Sequence, residues 1–301
     1  MTNPFRRPAG RPVVYGHRGA RGVLPENTMA GFAYLRQIGA TGVELDIQNA
    51  SGHIPVILHD PLIPAQLARE PSGQWLTEAG PTVQSLTAGE LRRYDVGRLN
   101  PDHPYGKRFP NQRPVDGARI PLLDEFLDWA KSDAAMIVNI EIKSHAHRAD
   151  LGDPPQALVD TLLKSLDRHP LSAPCVVSSF DWRVLSALRA TAPRMPRAYL
   201  SYEKPGPDNN VFDGSPYMGG LSLADHGGSL LRLIAAQGGH CWNAYRGDVT
   251  QKRVAEAHDL GLAVNVWTVN NRAEMQAMIE LGVDGVITDY PQTTLELLAA
   301  A

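Results

Sequence analysis

Short apolar runs alternate with helix-period segments along nearly the whole chain, and this alternation restricts the fold more than any other feature. Strands are expected at 13–15, 42–48, 54–58, 136–142, 175–178, 198–201, 262–268 and 285–288, with 241–245 ambiguous. Apolar residues recur at helical spacing over 28–38, 122–131, 155–169, 181–191, 229–237, 250–260 and 272–281, and an Ala-rich helix closes the chain at 295–301. Asn27 or Thr28 can cap the first helix, and Gly261 and Gly282 stand just past two of them, where a left-handed residue ends a helix. Strand followed by helix, repeated about eight times, implies a parallel sheet, because parallel neighbours need a crossover between them. Closed into a ring, that is an α/β fold of the (β/α)8 TIM-barrel type. A doubly wound open sheet is the alternative. Its glycine-rich phosphate loop is missing, because the first strand runs into Gly16-His17-Arg18-Gly19.

The 301 residues suit one barrel of about 250 residues with an insertion. The expected layout is an N-terminal tail over 1–11, a barrel over 12–301 and an inserted cap segment over about 61–119. The insertion is rich in Pro, Gly, Arg and Asp and holds one short helical pattern at 87–94; loops of that length in a compact domain usually serve a site. A second long irregular stretch covers 203–220. A net charge of −3 offers no electrostatic footprint for nucleic acid or an anionic membrane. Arg6, Arg7, Arg11, Arg18 and Arg21 are dispersed, which reads as a solvated tail plus one site arginine. Cys175 and Cys241 sit in apolar context without metal or redox spacing and are expected as buried, inert thiols. No secretory signal and no apolar run near ~18 residues is present, so no membrane span and a cytoplasmic location are expected.

The chemistry-bearing residues gather at strand ends. Glu44 and Asp46 lie at i, i+2 on one strand and therefore on one face, with Leu45 on the other. Two carboxylates crowded in an apolar run repel and pay desolvation, and a divalent cation resolves both costs. A set made only of carboxylates selects a hard ion, Mg2+ or Ca2+. Glu141 and Lys143 repeat the pattern, as a possible third ligand and a phosphate-neutralising cation. His17 and His59 each end a strand, where imidazoles of near-neutral pKa can exchange protons with a reacting phosphodiester. Arg18 is placed as a bidentate phosphate clamp. Trp267 ends a strand and can stack on an apolar substrate face or pack in the core; Asp289 can orient a site residue or cap the closing helix. His145, His147, His169, His226 and His258 are read as structural or exposed.

These segments together resemble the glycerophosphodiester phosphodiesterases. The resemblance rests on Gly16-His17-Arg18-Gly19-Ala20, Pro25-Glu26-Asn27-Thr28, Val43-Glu44-Leu45-Asp46-Ile47, His59-Asp60, Asn139-Ile140-Glu141-Ile142-Lys143, Val177-Ser178-Ser179-Phe180, Val266-Trp267-Thr268-Val269-Asn270 and Asp284-Gly285-Val286-Ile287-Thr288-Asp289-Tyr290-Pro291, and it covers roughly 12–298. It implies a (β/α)8 barrel that hydrolyses a small-molecule glycerophosphodiester to glycerol 3-phosphate and an alcohol, using one divalent cation, Mg2+ or Ca2+. It further implies Glu44, Asp46 and Glu141 as metal ligands, His17 and His59 as the acid–base pair, and Arg18 and Lys143 as phosphate contacts. Glu26 and Asn27 are implied as supports at the substrate. Attack by the substrate's own 2-hydroxyl, through a cyclic phosphate, and attack by water are both open. Where the family commonly carries a Leu-x-Arg-Thr-Thr-x-Gly stretch, this chain has Leu67-Ala68-Arg69-Glu70-Pro71-Ser72-Gly73, which directs attention to the insertion for the choice of alcohol. A lysophospholipase D or sphingomyelinase D-like activity is the neighbouring alternative; it needs an apolar channel, for which Trp75, Leu76, Leu86, Leu91 and Phe109 are available. A non-catalytic phosphate-binding barrel is disfavoured, because both histidines and all three carboxylates are kept.

Overall fold

The structure, a computed structural model, describes residues 3–300; residues 1, 2 and 301, at the ends of the expected tail and closing helix, lie outside the described residues. In chain order the elements are β1 Val13–Gly16, α1 Met29–Gln37, β2 Gly42–Ala50, β3 Ile54–Ile57, α2 Ala88–Leu91 and α3 Leu123–Ala130. They continue with β4 Ile137–Ile142, α4 Pro155–Arg168, β5 Cys175–Ser179, α5 Trp182–Thr191, β6 Arg197–Ser201 and α6 Leu230–Ala236. The last are β7 Cys241–Tyr245, α7 Gln251–Asp259, β8 Ala263–Trp267, α8 Arg272–Glu280, β9 Gly285–Thr288 and α9 Pro291–Ala300.

Strands β1, β2, β4, β5, β6, β7, β8 and β9 run parallel in that order, and β1 pairs with both β9 and β2, so the sheet closes into a (β/α)8 barrel. The ambiguous segment 241–245 is a stave, β7, between β6 and β8. The expected strand at 54–58 is different. It forms β3, which returns antiparallel along β2 with Ile47 opposite Ile57 and stays outside the barrel. The reason is local: Gly52 and His53 carry φ of 78° and 58°, and a turn that tight can only deliver an antiparallel neighbour.

Helix starts follow side-chain capping. Thr28 Oγ1 accepts from Gly31 N at 3.2 Å, and Asp181, Ser229, Thr250 and Asn271 cap α5 to α8 in the same way. The apolar faces of α1, α3 and α5 bury Phe32, Leu35, Phe126, Leu127, Trp182 and Leu188 against the outside of the barrel, where truncation of one aromatic costs about 3–5 kcal/mol.

The barrel interior is layered. At its N-terminal end Val13, Ile137, Val176, Ala198, Cys241 and Ala263 pack around Phe5, which is 1% exposed. Asn3 Nδ2 donates to the carbonyls of His240 and Gly261 at 2.6 and 2.9 Å, and Arg7 N donates to Asp284 at 2.7 Å. The described part of the tail is therefore anchored on the barrel, although Pro4, Pro8, Ala9 and Arg11 stay exposed: an apolar layer that would otherwise face water binds Phe5, a gain of about 1.5–3 kcal/mol. Further up, the inward positions turn polar, with Glu44 level with Asn139 and Asp46 with Glu141.

Between β3 and α3 the inserted segment builds its own small core from Leu58, Ile63, Leu67, Ala68, Val83, Leu91, Val96 and Ile120, against Ala50 and Val56. Leu76 and Leu86 pack into it, and Trp75 faces the Arg69 guanidinium at 5.5 Å. Among the described residues no helix is long and apolar enough to cross a membrane.

Candidate active site

The loop after β1 is shaped by steric necessity. A Cβ on Gly16 would lie 1.9 Å from Gly19 O and 2.4 Å from Leu35 Cδ2, so only glycine lets the chain turn there. Arg18 and Asn27 then adopt φ of 50° and 53°, a left-handed backbone uncommon outside glycine and often found where function demands it. Surrounding bonds hold them: Asn27 N donates to Arg18 O at 2.9 Å, Arg18 N to Glu44 Oε2 at 2.8 Å and Asn27 Nδ2 to Asp46 Oδ2 at 2.9 Å. Glu26 Oε1 accepts from Arg18 Nη1 at 2.7 Å. Glu26 and Asn27 thus face protein groups and do not line the cavity.

Glu44, Asp46 and Glu141 converge as the parallel register of β2 and β4 requires, each buried and each offering an oxygen within 4.8 Å of the others. Arg18 Nε lies 3.3 Å from Asp46, and Lys143 Nζ lies 2.5 Å from Glu141 and 3.6 Å from Asp46. These cations leave Glu44 unanswered. Its Oε1 is buried without a hydrogen-bond partner, and burial, reinforced by Asp46 and Glu141, pushes its carboxyl well above the usual range. Burial works against Asp46 as well, yet Arg18, His59, Lys143 and the Asn27 amide hold it below its ordinary value. Three converging carboxylates, one of them with an unpaired buried oxygen, fit a hard divalent cation by the chemistry of their donors.

The histidines flank this cluster. His17 Nδ1 lies 2.7 Å from Asp289 Oδ1, leaving Nε2 3.9 Å from Glu44. Asp289 is wholly buried and is gripped by Arg21 through Nε and Nη2, each at 2.9 Å, and by Asn270 Nδ2 at 2.6 Å. Burial and then Arg21 push the His17 imidazole down to about 4, against the pull of Asp289. His59 Nδ1 lies 2.6 Å from Asp60, whose other oxygen accepts from Gln66 at 2.9 Å.

All of this opens into one cavity of about 550 Å³. Its polar side carries His17, Arg18, Arg21, Glu44, His59, Glu141 and Lys143; Asp46, 1% exposed, is not among the lining residues. The opposite wall is aromatic, with Phe180 edge-on to Trp267 at 5.2 Å and Tyr202 and Tyr217 alongside, joined by Asp208 and Asn210. Trp267 Nε1 donates to Asn243 O at 3.0 Å, which fixes the ring as part of that wall.

A sequence model of the glycerophosphoryl diester phosphodiesterase family matches residues 17–293. The chain belongs to that family. The glycerophosphodiester phosphodiesterase of Caldanaerobacter subterraneus is 27% identical to it over 289 residues, 96% of this chain and 98% of the relative. A solved structure from Silicibacter pomeroyi, assigned as a glycerophosphoryl diester phosphodiesterase, is 37% identical, covers 98% of this chain and 95% of its own, and superposes with a TM-score of 0.85. An Oleispira antarctica phosphodiesterase, solved with the product sn-glycerol-3-phosphate, shares the fold at 20% identity and a TM-score of 0.70, covering 96% and 97% of the two chains. The family is one of phosphoric diester hydrolases.

In this family member several site groups depart from the sequence reading. Arg21, grouped with the dispersed tail arginines, is buried at the cavity; its spacing of three from Arg18 was the available signal. His145, read as structural or exposed, lines the cavity with its Nε2 unpartnered. The 67–73 stretch does not reach the cavity, and neither does any other residue of 61–119. Arg69 is instead neutralised inside the insertion by Asp95 at 2.6 Å and Asp116 at 2.5 Å. The wall away from the carboxylates combines Phe180 and Trp267 with Tyr202, Pro207, Asp208, Asn210 and Tyr217, from a loop given no role by its composition.

Proposed function

We propose that this chain hydrolyses glycerophosphodiesters to glycerol 3-phosphate and an alcohol, with Glu44, Asp46 and Glu141 holding one divalent cation, Mg2+ or Ca2+. The observation that carries the reading is the buried Glu44 oxygen left without a partner between two histidines at one cavity. When bound, the cation would draw negative charge from the phosphoryl oxygens.

The remaining work falls to the chain's own residues. Arg18 and Lys143 orient the phosphate, Arg18 through a guanidinium already anchored by Glu26. His17 and His59 divide the proton traffic. One takes the proton of the attacking oxygen as the new P–O bond forms, and the other protonates the departing alkoxide as the old P–O bond breaks. The attacking oxygen is either a water, which gives glycerol 3-phosphate directly, or the substrate's own 2-hydroxyl, which gives a cyclic phosphate that water then opens by breaking one ring P–O bond, the histidines exchanging roles. The Trp267 and Phe180 wall receives the apolar face of the glycerol. An acyl-chain substrate finds little support, because Leu76, Leu86 and Leu91 are spent on the insertion's own core and neither Trp75 nor Phe109 lines the cavity.

The test is a substrate panel of glycerophosphocholine, glycerophosphoethanolamine, glycerophosphoglycerol and lysophospholipids, run with Mg2+ or Ca2+ and again with chelator. Turnover of the glycerophosphodiesters, abolished by chelator and restored by the ion, is expected. Inactivity on all three, or indifference to chelator, overturns the assignment.

A further inference from the structure

No side chain of the inserted segment lines the cavity, yet Gln66 supports Asp60 and Tyr105 reaches the groups behind Arg18 and His17. Tyr105 stands directly before the short turn Gly106–Arg108. Its hydroxyl donates to Glu26 Oε2 and accepts from Arg21 Nη1 at 3.0 Å. Glu26 uses its other oxygen to hold Arg18. Arg21 uses its remaining nitrogens to hold Asp289, which holds His17. One oxygen therefore joins two chains of contacts, one ending on the arginine at the carboxylate cluster and the other on the histidine beside it.

The surroundings leave that oxygen little freedom. The Tyr105 and Phe109 rings meet edge to face at 5.7 Å, and the Arg21 guanidinium lies over both, 5.9 and 5.1 Å from their centres. Gln112 Nε2 donates to Arg21 O at 2.7 Å, and Arg113 N to Val23 O at 2.9 Å, so residues 105–113 are fastened along the loop that carries Arg18 and Arg21. Arg18 needs such support. Its backbone is left-handed, its Nε is buried without a hydrogen bond, and Glu26 is the side chain that hydrogen-bonds its guanidinium among the described residues.

We propose that Tyr105 is a positioning residue, through which the inserted segment sets Arg18 and His17 against the substrate phosphate; this rests on the function proposed above. Tyr105 acts only through Glu26 and Arg21. Loss of its hydroxyl removes a donor from a buried carboxylate and an acceptor from a buried guanidinium, and bonds to charged groups of this kind are the stronger ones.

The test compares Tyr105→Phe, Glu26→Gln and the double variant with the wild-type chain. Turnover of a glycerophosphodiester with added divalent cation, calorimetric binding of inorganic phosphate and thermal melts are measured on each. Tyr105→Phe is expected to lower kcat/KM about ten- to a hundredfold and to weaken phosphate binding, in protein that still melts cooperatively. Glu26→Gln is expected to do likewise, and the double variant to lose less than the product of the two, because they break one chain of contacts. A Tyr105→Phe protein within twofold of wild type on both readouts, or losses that multiply, overturns the proposal. So does a lower melting temperature with unchanged kcat/KM, the mark of a merely structural tyrosine. A wild-type chain without turnover overturns the functional reading instead, and phosphate binding by the same variants then decides the role of Tyr105. If Tyr105→Phe does not fold, Glu26→Gln alone carries the test, and unchanged kinetics there overturn it equally.

Discussion

The two sides of the cavity hold the same residue type in unlike surroundings. On the side built by β1 and β9, the His17 side chain is 12% exposed and its partner Asp289 is completely buried, held by Arg21 and Asn270. On the side where β3 gives way to the insertion, the His59 side chain is 32% exposed and its partner Asp60 is 36% exposed, steadied by one amide from Gln66. The first arrangement is a fork anchored on a buried carboxylate, and the second is a half-exposed pair. Burial sets the first imidazole apart, because desolvation and then Arg21 hold His17 well below the ordinary histidine range.

The largest expected effect tests whether the two sides share the chemistry. His17→Ala and His59→Ala should each lower kcat by about 10²–10⁴-fold in steady-state assays. Only His17→Ala should also lower the melting temperature, because it strips a partner from the buried Asp289. Full activity in either variant ends the pairing, and equal melting shifts end the contrast.

Removing the partners should sharpen it. Asp289→Asn leaves the Arg21 guanidinium buried without its counter-charge and should cost about 3–5 kcal/mol in urea titrations. Asp60→Asn, at a half-exposed pair, should cost about 1 kcal/mol or less. Comparable costs would mean that the two partners are embedded alike.

The smallest effect is in pH. Burial opposes the Asp289 carboxylate, but His17 and Arg21 outweigh it and hold the group below its ordinary value. A depressed carboxyl gives stability that is complete above the unfolded value of about 3.9 and is lost as pH falls below it. The stability gap between wild type and Asp289→Asn should therefore narrow from about pH 5 downward in thermal melts. A gap that widens on acidification would refute the charge-based account.

Local pattern accounts for much of what was legible. The i, i+2 spacing put Glu44 and Asp46 on the inner face and Leu45 on the outer, and seven helices lie within a residue or two of their periodic segments, whereas the closing helix starts at Pro291, four residues before the expected 295, and the 87–94 pattern is helical only over 88–91. Arg21 was hidden among scattered basic residues because nothing local distinguishes a buried arginine from a solvated one; its counter-charge is Asp289, at the other end of the chain. Tyr105 was invisible for the same reason, being paired across the fold with Glu26. The segment 67–73 misled because a change in composition shows that a loop differs, not where it points, and Arg69 points into the insertion's own acidic residues. The loop over 202–217 offered no helical or strand period, yet it supplies Tyr202, Pro207, Asp208, Asn210 and Tyr217 to the wall beside Phe180 and Trp267.

The sequence alone determined the barrel class, the carboxylates that share a strand face and the histidines that end strands, because periodicity and strand termini are properties of neighbouring residues. The tertiary structure alone decided which distant groups meet. It brought Glu141 level with Asp46, set Asp289 behind His17, turned β3 away from the barrel and placed Tyr105 at the back of Arg18. Those choices depend on strand register and on charges that must find partners once buried, and neither is written in any short stretch of chain.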